Sequence, residues 1–279
     1  MGTKIPKVIH YCWFGRGEKP ELANKCIDSW KKIMPDYEIK EWNEDNFDIS
    51  FNKYVEQAYN AKKFAFVSDV ARLYIVYNNG GIYLDVDVEV LKSFDELLNY
   101  DSFFGFENND YVNTGVGFGA SKKNAIIKDM LDCYKDINFV LDDKTFDLTT
   151  CPVRNTSVLK KHGLKKGNKN QILDDNSAIF ASEYFCPKDY YTGNISVTDN
   201  TYSIHHFNAS WHTKKEHKLF MKHQKYLQKY GVELGEEKYN RFISRKKILR
   251  VLLLPVRCIL HPIKAIKKIK NIISKKMGK

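Results

Sequence analysis

The chain has 279 residues, 43% hydrophobic and 14% aromatic, which is enough to bury a core and excludes a generally disordered polypeptide. Six cysteines stand singly at 12, 26, 133, 151, 186 and 258, excluding a C-x-x-C zinc ribbon, a thioredoxin-like site and a disulfide-stapled mini-domain. The net charge is +11, but residues 241–279 hold 13 Lys and Arg and no acid, so the first 240 residues carry −2 and the body lacks a nucleic-acid signature.

Residues 7–15, KVIHYCWFG, form a short apolar run ending in glycine and read as a buried strand entering a loop. Residues 20–34 have helical spacing, with Leu22, Cys26, Ile27 and Trp30 on one side, and Pro35 stops them. Residues 37–42 alternate as a second strand, and 52–62 read as a short helix. Residues 64–79 predict an amphipathic helix with Phe66, Val70, Leu73, Tyr74 and Tyr77 at steps of three and four, closed by Gly80-Gly81. Strands are predicted over 82–90, 102–106 and 114–118, then a helix over 122–134. Residues 141–176 read as short helices and loops, 202–207 as a last strand, and 214–230 as a helix. Strand–helix alternation in the first half predicts an α/β fold.

Asp85 and Asp87 lie one residue apart beyond an apolar run. Strand alternation sets both on one face, where two carboxylates repel unless a cation lies between them. Oxygen ligands of this kind suit Mg²⁺ or Mn²⁺, which commonly share their shell with substrate phosphates. The competing reading is a solvated acidic strand end. Asp69 and Arg72 neighbour each other on the predicted helix, as either a surface ion pair or a pair turned into a cleft beside Asp85. His205 and His206 are adjacent on a predicted strand and face opposite ways, so one of them at most joins a given site.

The segment SDVARLYIVYNNGGIYLDVD (68–87), opened by IPKVIHYCWFG (5–15), resembles the DXD-bearing sugar-binding region of glycosyltransferase family 32. That family includes bacterial capsular and lipopolysaccharide glycosyltransferases and fungal α-mannosyltransferases. The clostridial glucosylating toxins are similar more distantly. The resemblance implies a GT-A fold, a Rossmann-like mixed sheet flanked by helices, with a nucleotide-sugar donor and a divalent metal. By the same resemblance, Asp85 touches donor sugar or ribose and reaches the metal, and Asp87 binds the metal. Asp69 and Arg72 hold the sugar and diphosphate, Trp13 stacks on the base, and Asn46 contacts the ribose. A late histidine ligand, as in glycogenin-type enzymes, falls on His206, with His205 as competitor; Ser210 or Trp211 contacts the diphosphate. Asn113 resembles a sugar-lining asparagine, and TTCP at 149–152 departs from the family's commoner T-G-P by a cysteine.

The resemblance also implies metal-dependent, retaining hexosyl transfer from a nucleotide-sugar to a glycan or lipid-linked oligosaccharide in capsular or surface polysaccharide synthesis. UDP-sugars are favoured; the alternatives are a GDP-mannose-dependent mannosyltransferase or a non-catalytic GT-A body that binds nucleic acid or membrane. No free carboxylate stands out as nucleophile, Glu107 and Asp175 being distant candidates, so attack on the face of the departing phosphate is preferred.

Two domains are expected: a catalytic body over 1–240 and a basic tail over 241–279. In the tail, 251–256 is far short of a membrane span. Residues 259–273 place Ile263, Ile266, Ile269 and Ile273 near one side with Lys264, Lys267, Lys268 and Lys270 around it, a basic amphipathic helix for an anionic membrane surface. The first residues lack a signal-peptide core, and the scattered cysteines suit a reducing compartment. The expected setting is cytoplasmic, peripheral on the inner face of a bacterial membrane, with no nucleic-acid partner.

Overall fold

The computed structural model describes residues 3–208 and 214–252. The first compact unit comprises Met1–Tyr190 and Asn194–Lys214, and the second comprises Tyr191–Gly193 and Lys215–Lys279. The division therefore falls near residue 214, whereas the expected boundary at 240 lies inside a helix.

In chain order the first unit runs β1 (Val8–Cys12), α1 (Glu21–Ile33), β2 (Glu38–Trp42), α2 (Lys53–Asn60), α3 (Phe64–Asn79), β3 (Gly81–Tyr83) and β4 (Val88–Val90). After a 3₁₀ turn come β5 (Ser102–Gly105), β6 (Phe118–Ala120), α4 (Ala125–Asp132), α5 (Cys151–Lys161), β7 (Gln171–Ile172), β8 (Ser177–Phe180), α6 (Ser182–Phe185) and β9 (Ser203–His205). The second unit holds α7 (Lys214–Tyr230) and α8 (Val232–Leu252). The main sheet has the order β2-β1-β3-β6-β5-β8-β7. Its β1–β2, β1–β3 and β5–β8 pairs are parallel, and the remaining pairs are antiparallel. This is the mixed α/β architecture that the alternation predicted.

Both faces of the sheet are covered, because successive strand residues enter different core clusters. Ile9, Ile82 and Phe103 join α1 through Ile27 and Trp30. Cys12, Tyr83 and Phe104 join α2, α3 and α4. Helix α3 is therefore less amphipathic than its spacing predicts: Val67, Val70, Ala71, Arg72, Leu73, Ile75 and Val76 are all buried. It ends where Gly80 and Gly81 take φ of 71° and 104°. A Cβ on Gly81 would stand 2.7 Å from the Val8 carbonyl oxygen, so the chain enters β3 in contact with β1 only if that residue is glycine.

Two predicted strands differ from the observed ones. Residues 82–90 do not form one strand. Leu84–Val88 breaks into a turn closed by the Val88 amide on the Asp85 carbonyl, 3.0 Å. Residues 114–117 are likewise a turn, and the strand begins at Phe118. Helix α5 falls within the stretch expected to hold short helices and loops, with Pro152 in its first turn, where the missing N–H has no partner to lose.

One buried histidine serves the fold. His10 is 1% exposed. Its Nε2 donates to the Gly80 carbonyl at 2.9 Å, and its Nδ1 accepts from the Trp42 indole at 3.1 Å. A carbonyl only accepts and an indole N–H only donates, so the partners fix the neutral Nε2–H tautomer. Burial pushes the imidazole down from its ordinary 6.5 to about 4. The unfolded chain therefore takes up this proton first, and the stability of the neutral ring, complete above pH 6.5, drains away as pH falls toward 4. Chemical denaturation of the wild type should lose roughly 3 kcal/mol across that window through this residue. His10→Gln should flatten that part of the profile; an unchanged slope contradicts the assignment.

Candidate metal and nucleotide-sugar site

The site lies where β3 runs out. Asp85 and Asp87 sit in the turn between β3 and β4, and β9 pairs antiparallel with β4 in the register Val88↔His205. Helix α1 fixes β4 from the other side: the Trp30 indole donates to the Val88 carbonyl at 2.7 Å, and the Val90 amide donates to Ser29 Oγ at 2.9 Å. The Asp87 carbonyl accepts from the His206 amide at 2.9 Å, and its Oδ2 accepts from the Asn208 amide at 2.8 Å.

Among the described residues, Asp85, Asp87 and His205 bring one ligand atom each within 4.8 Å of one another. The turn, rather than strand alternation, makes the two carboxylates converge. The histidine of this group is His205, where His206 was expected. His205 Nε2 lies 3.3 Å from Asp87 Oδ1, whereas His206 Nε2 pairs with Glu89 Oε2 at 2.8 Å. Adjacent strand residues face opposite ways, and the β4–β9 register gives this position to His205, not His206.

Arg72 rises from α3 beneath Asp85. Its Nη2 reaches Asp69 Oδ1 at 2.9 Å and Asp85 Oδ1 at 3.3 Å, and its Nε donates to the Ser68 carbonyl at 3.0 Å. The guanidinium carbon lies 4.9 Å from the centre of the Tyr83 ring, and the Tyr83 hydroxyl donates to Asp85 Oδ1 at 2.9 Å. Arg72 is 3% exposed, so the pair it makes with Asp69 is no solvated surface bridge. Its Nη1 is buried with no hydrogen-bond partner, a donor left over for an incoming anion or hydroxyl.

The 112–115 segment, which leads into the 114–117 turn, closes one side. Asn155 donates to Thr114 Oγ1 at 2.9 Å, and Thr156 Oγ1 accepts from the Val112 amide at 2.9 Å, so α5 clamps the turn. Asn113 Oδ1 accepts from the Gly115 amide at 2.6 Å and from Cys151 Sγ at 3.4 Å, while its Nδ2 donates to Glu107 at 2.5 Å. A Cβ on Gly115 would lie 2.5 Å from Asp85 Oδ2 and 3.0 Å from Arg72 Nη1. Gly115 is thus a member of the site that residue type alone concealed.

Three carboxylates, Asp69, Asp85 and Asp87, face one guanidinium and one imidazole. Burial pushes Asp69 and Asp85 up despite the attraction of Arg72, and the charge of Asp87 raises Asp85 further. Burial also opposes ionisation of Asp87, but His205 and the Asn208 amide outweigh it and hold Asp87 down at about 2. Burial would lower His205, yet its contact with Asp87 raises it well above the usual imidazole range. Two carboxylate oxygens and an imidazole nitrogen suit Mg²⁺ or Mn²⁺, so this donor set fits a divalent metal, and its binding requires the imidazole in its neutral form.

Trp13, half-buried after β1, donates from its indole to the Gly17 carbonyl at 2.6 Å. Asn46 accepts from the Asn43 amide and donates to the Glu41 carbonyl, both at 2.9 Å, and its amide keeps a second N–H and a second lone pair. Ser210 and Trp211 lie outside the described residues, as does 259–273. Asp175 accepts from the Ser177 amide and hydroxyl in the turn before β8.

Residues 20–104 match the family described as "Glycosyltransferase sugar-binding region containing DXD motif". Inositol phosphoceramide mannosyltransferase 3 of Schizosaccharomyces pombe is 33% identical over 115 residues, which cover 37% of this chain and 30% of that protein. The chain thus spans about a third of the length of that relative. Uncharacterized glycosyltransferase L373 of Acanthamoeba polyphaga mimivirus is 27% identical over 220 residues, covering 74% of this chain and 84% of the other. Among solved structures, PaToxG glycosyltransferase is 22% identical and superposes with a TM-score of 0.43, covering 56% of this chain and 68% of that one.

Proposed function

We propose that this chain, which carries a glycosyltransferase sugar-binding region with a DXD motif, is a metal-dependent retaining glycosyltransferase that moves a sugar from a nucleotide-sugar to a glycan acceptor. One observation carries the reading: the Asp85, Asp87 and His205 ligand atoms converge beside a buried Arg72 that keeps a free donor.

Asp85, Asp87 and His205 would hold Mn²⁺ or Mg²⁺, which when bound supplies positive charge against the dianionic leaving diphosphate. Arg72 offers Nη1 to the same developing charge and keeps Asp69 and Asp85 in place through Nη2. Asp69, beside Cys151, would accept hydrogen bonds from sugar hydroxyls. Glu107 accepts from Asn113, and the preferred course is attack on the face of the departing phosphate.

UDP-sugars are the first donors to test. The mannosyltransferase activity in the name of the fission yeast relative favours a second reading, a GDP-mannose donor. Purified protein in Mn²⁺ incubated with UDP- and GDP-sugars should release nucleotide with one of them and stop in a chelator. Absence of turnover with every donor, with and without added glycan acceptors, would overturn the reading.

The proposed acceptor is a glycan or lipid-linked oligosaccharide, in capsular or surface polysaccharide synthesis, at the cytoplasmic face of a membrane. Among the described residues no helix is long and apolar enough to cross a bilayer. The basic residues beyond α8 supply the attachment instead. Residues 253–279 hold eight Lys and Arg, each contributing about 1 kcal/mol near an anionic surface. Because α8 runs to Leu252, a chain ending there leaves the helix whole. That shortened chain should lose binding to anionic liposomes by at least about 100-fold and keep donor hydrolysis. Equal partitioning of the two chains would remove the membrane role.

A further inference from the structure

Lys188 is a cation that no motif marks. It lies between α6 and β9, half-buried, and its Nζ donates to the His206 carbonyl at 2.6 Å. That carbonyl belongs to the residue after His205, and the amide of the same residue is bonded to the Asp87 carbonyl. The ammonium is thus fastened to the end of β9, the strand end that carries the histidine of the metal-binding group. Burial lowers its affinity for a proton, and the carboxylate of Asp87 offsets part of this.

An ammonium has three donors, and the His206 carbonyl takes one. Placing a lysine here costs desolvation, and among the described residues no salt bridge to a carboxylate accompanies it, although Asp87 attracts it at longer range. Without substrate, Asp87 is already engaged by His205 and by the Asn208 amide. The charge is therefore held beside the metal group with donor capacity to spare. Arg72 is held from α3 under the opposite end of the group, through Asp85. A nucleoside diphosphate is a ligand that brings several anionic oxygens to such a place.

We infer that Lys188 binds the diphosphate of the nucleotide and steadies it as the leaving group departs. The inference rests on the proposed transferase reading and assigns a residue which that reading does not use. A point charge on a flexible stem suits a phosphate that shifts during the reaction.

The test compares binding of UDP and uridine, with GDP and guanosine in parallel, in the presence of Mn²⁺ by titration calorimetry. Lys188→Met keeps the aliphatic stem and removes the charge. It should weaken the diphosphate about 10- to 100-fold and leave the nucleoside within twofold. Lys188→Arg should restore most of the lost affinity. Mn²⁺ binding without nucleotide, followed by electron paramagnetic resonance, should stay within about twofold in both variants. Unchanged diphosphate affinity in Lys188→Met overturns the inference, as does an equal loss on nucleoside and diphosphate, which marks a structural role. If the wild type binds neither nucleotide, the transferase reading fails and the inference goes with it; if it binds and Lys188→Met does not differ, only the inference fails.

Discussion

Asp87→Asn retains the fold and lowers metal-dependent turnover by at least about 100-fold, since even outer-shell partners of metal ligands are worth 10- to 100-fold. Asparagine keeps the shape and a carbonyl oxygen but not the charge. The Asn208 amide can still donate to that oxygen, so the loop after β9 stays attached. The variant loses the anion that faces His205 and completes the donor set with Asp85. Donor turnover as a function of Mn²⁺, with circular dichroism as the control, checks this. Wild-type turnover in saturating Mn²⁺ would remove Asp87 from the ligand set.

Gly115→Ala is expected to cost about 100-fold in turnover with little loss of stability. The new methyl meets Asp85 Oδ2 at 2.5 Å, Arg72 Nη1 at 3.0 Å and Asn113 Oδ1 at 3.1 Å. The first of these is the end of a side chain, which moves more readily than backbone. The fold can accommodate the methyl by displacing Asp85, and Asp85 then leaves the Tyr83 hydroxyl, Arg72 and Asp87. A positioning error of about 1 Å is enough for a 10²-fold loss. Thermal unfolding should shift by only a few degrees while turnover collapses. A variant within a few-fold of the wild type would show that Asp85 need not stay where the structure has it.

The long local signals were legible in the chain. Helix α3 begins and ends where its spacing and the Gly80-Gly81 pair put it, and β1 and β2 follow from an apolar run and an alternation. The site was legible wherever its members come from one segment, as Asp69, Arg72, Asp85 and Asp87 do. It was not legible where members meet across the fold. The choice between His205 and His206 depends on how β9 registers with β4, more than a hundred residues earlier, and a slip of one residue exchanges them. Residues 82–90 alternate so regularly that nothing in them betrays the turn at Asp85–Val88. Gly115 and Lys188 matter through tertiary proximity alone. Helix α5 did carry a readable start, Thr150 before Cys151-Pro152, with proline in the first turn.

The most direct measurement is anomalous X-ray scattering from crystals soaked in Mn²⁺ with UDP or GDP. The expected result is one strong manganese peak between Asp85, Asp87 and His205, with diphosphate density beside it. A peak on His206 and Glu89, or no peak near Asp87 at saturating Mn²⁺, would contradict the metal-dependent site.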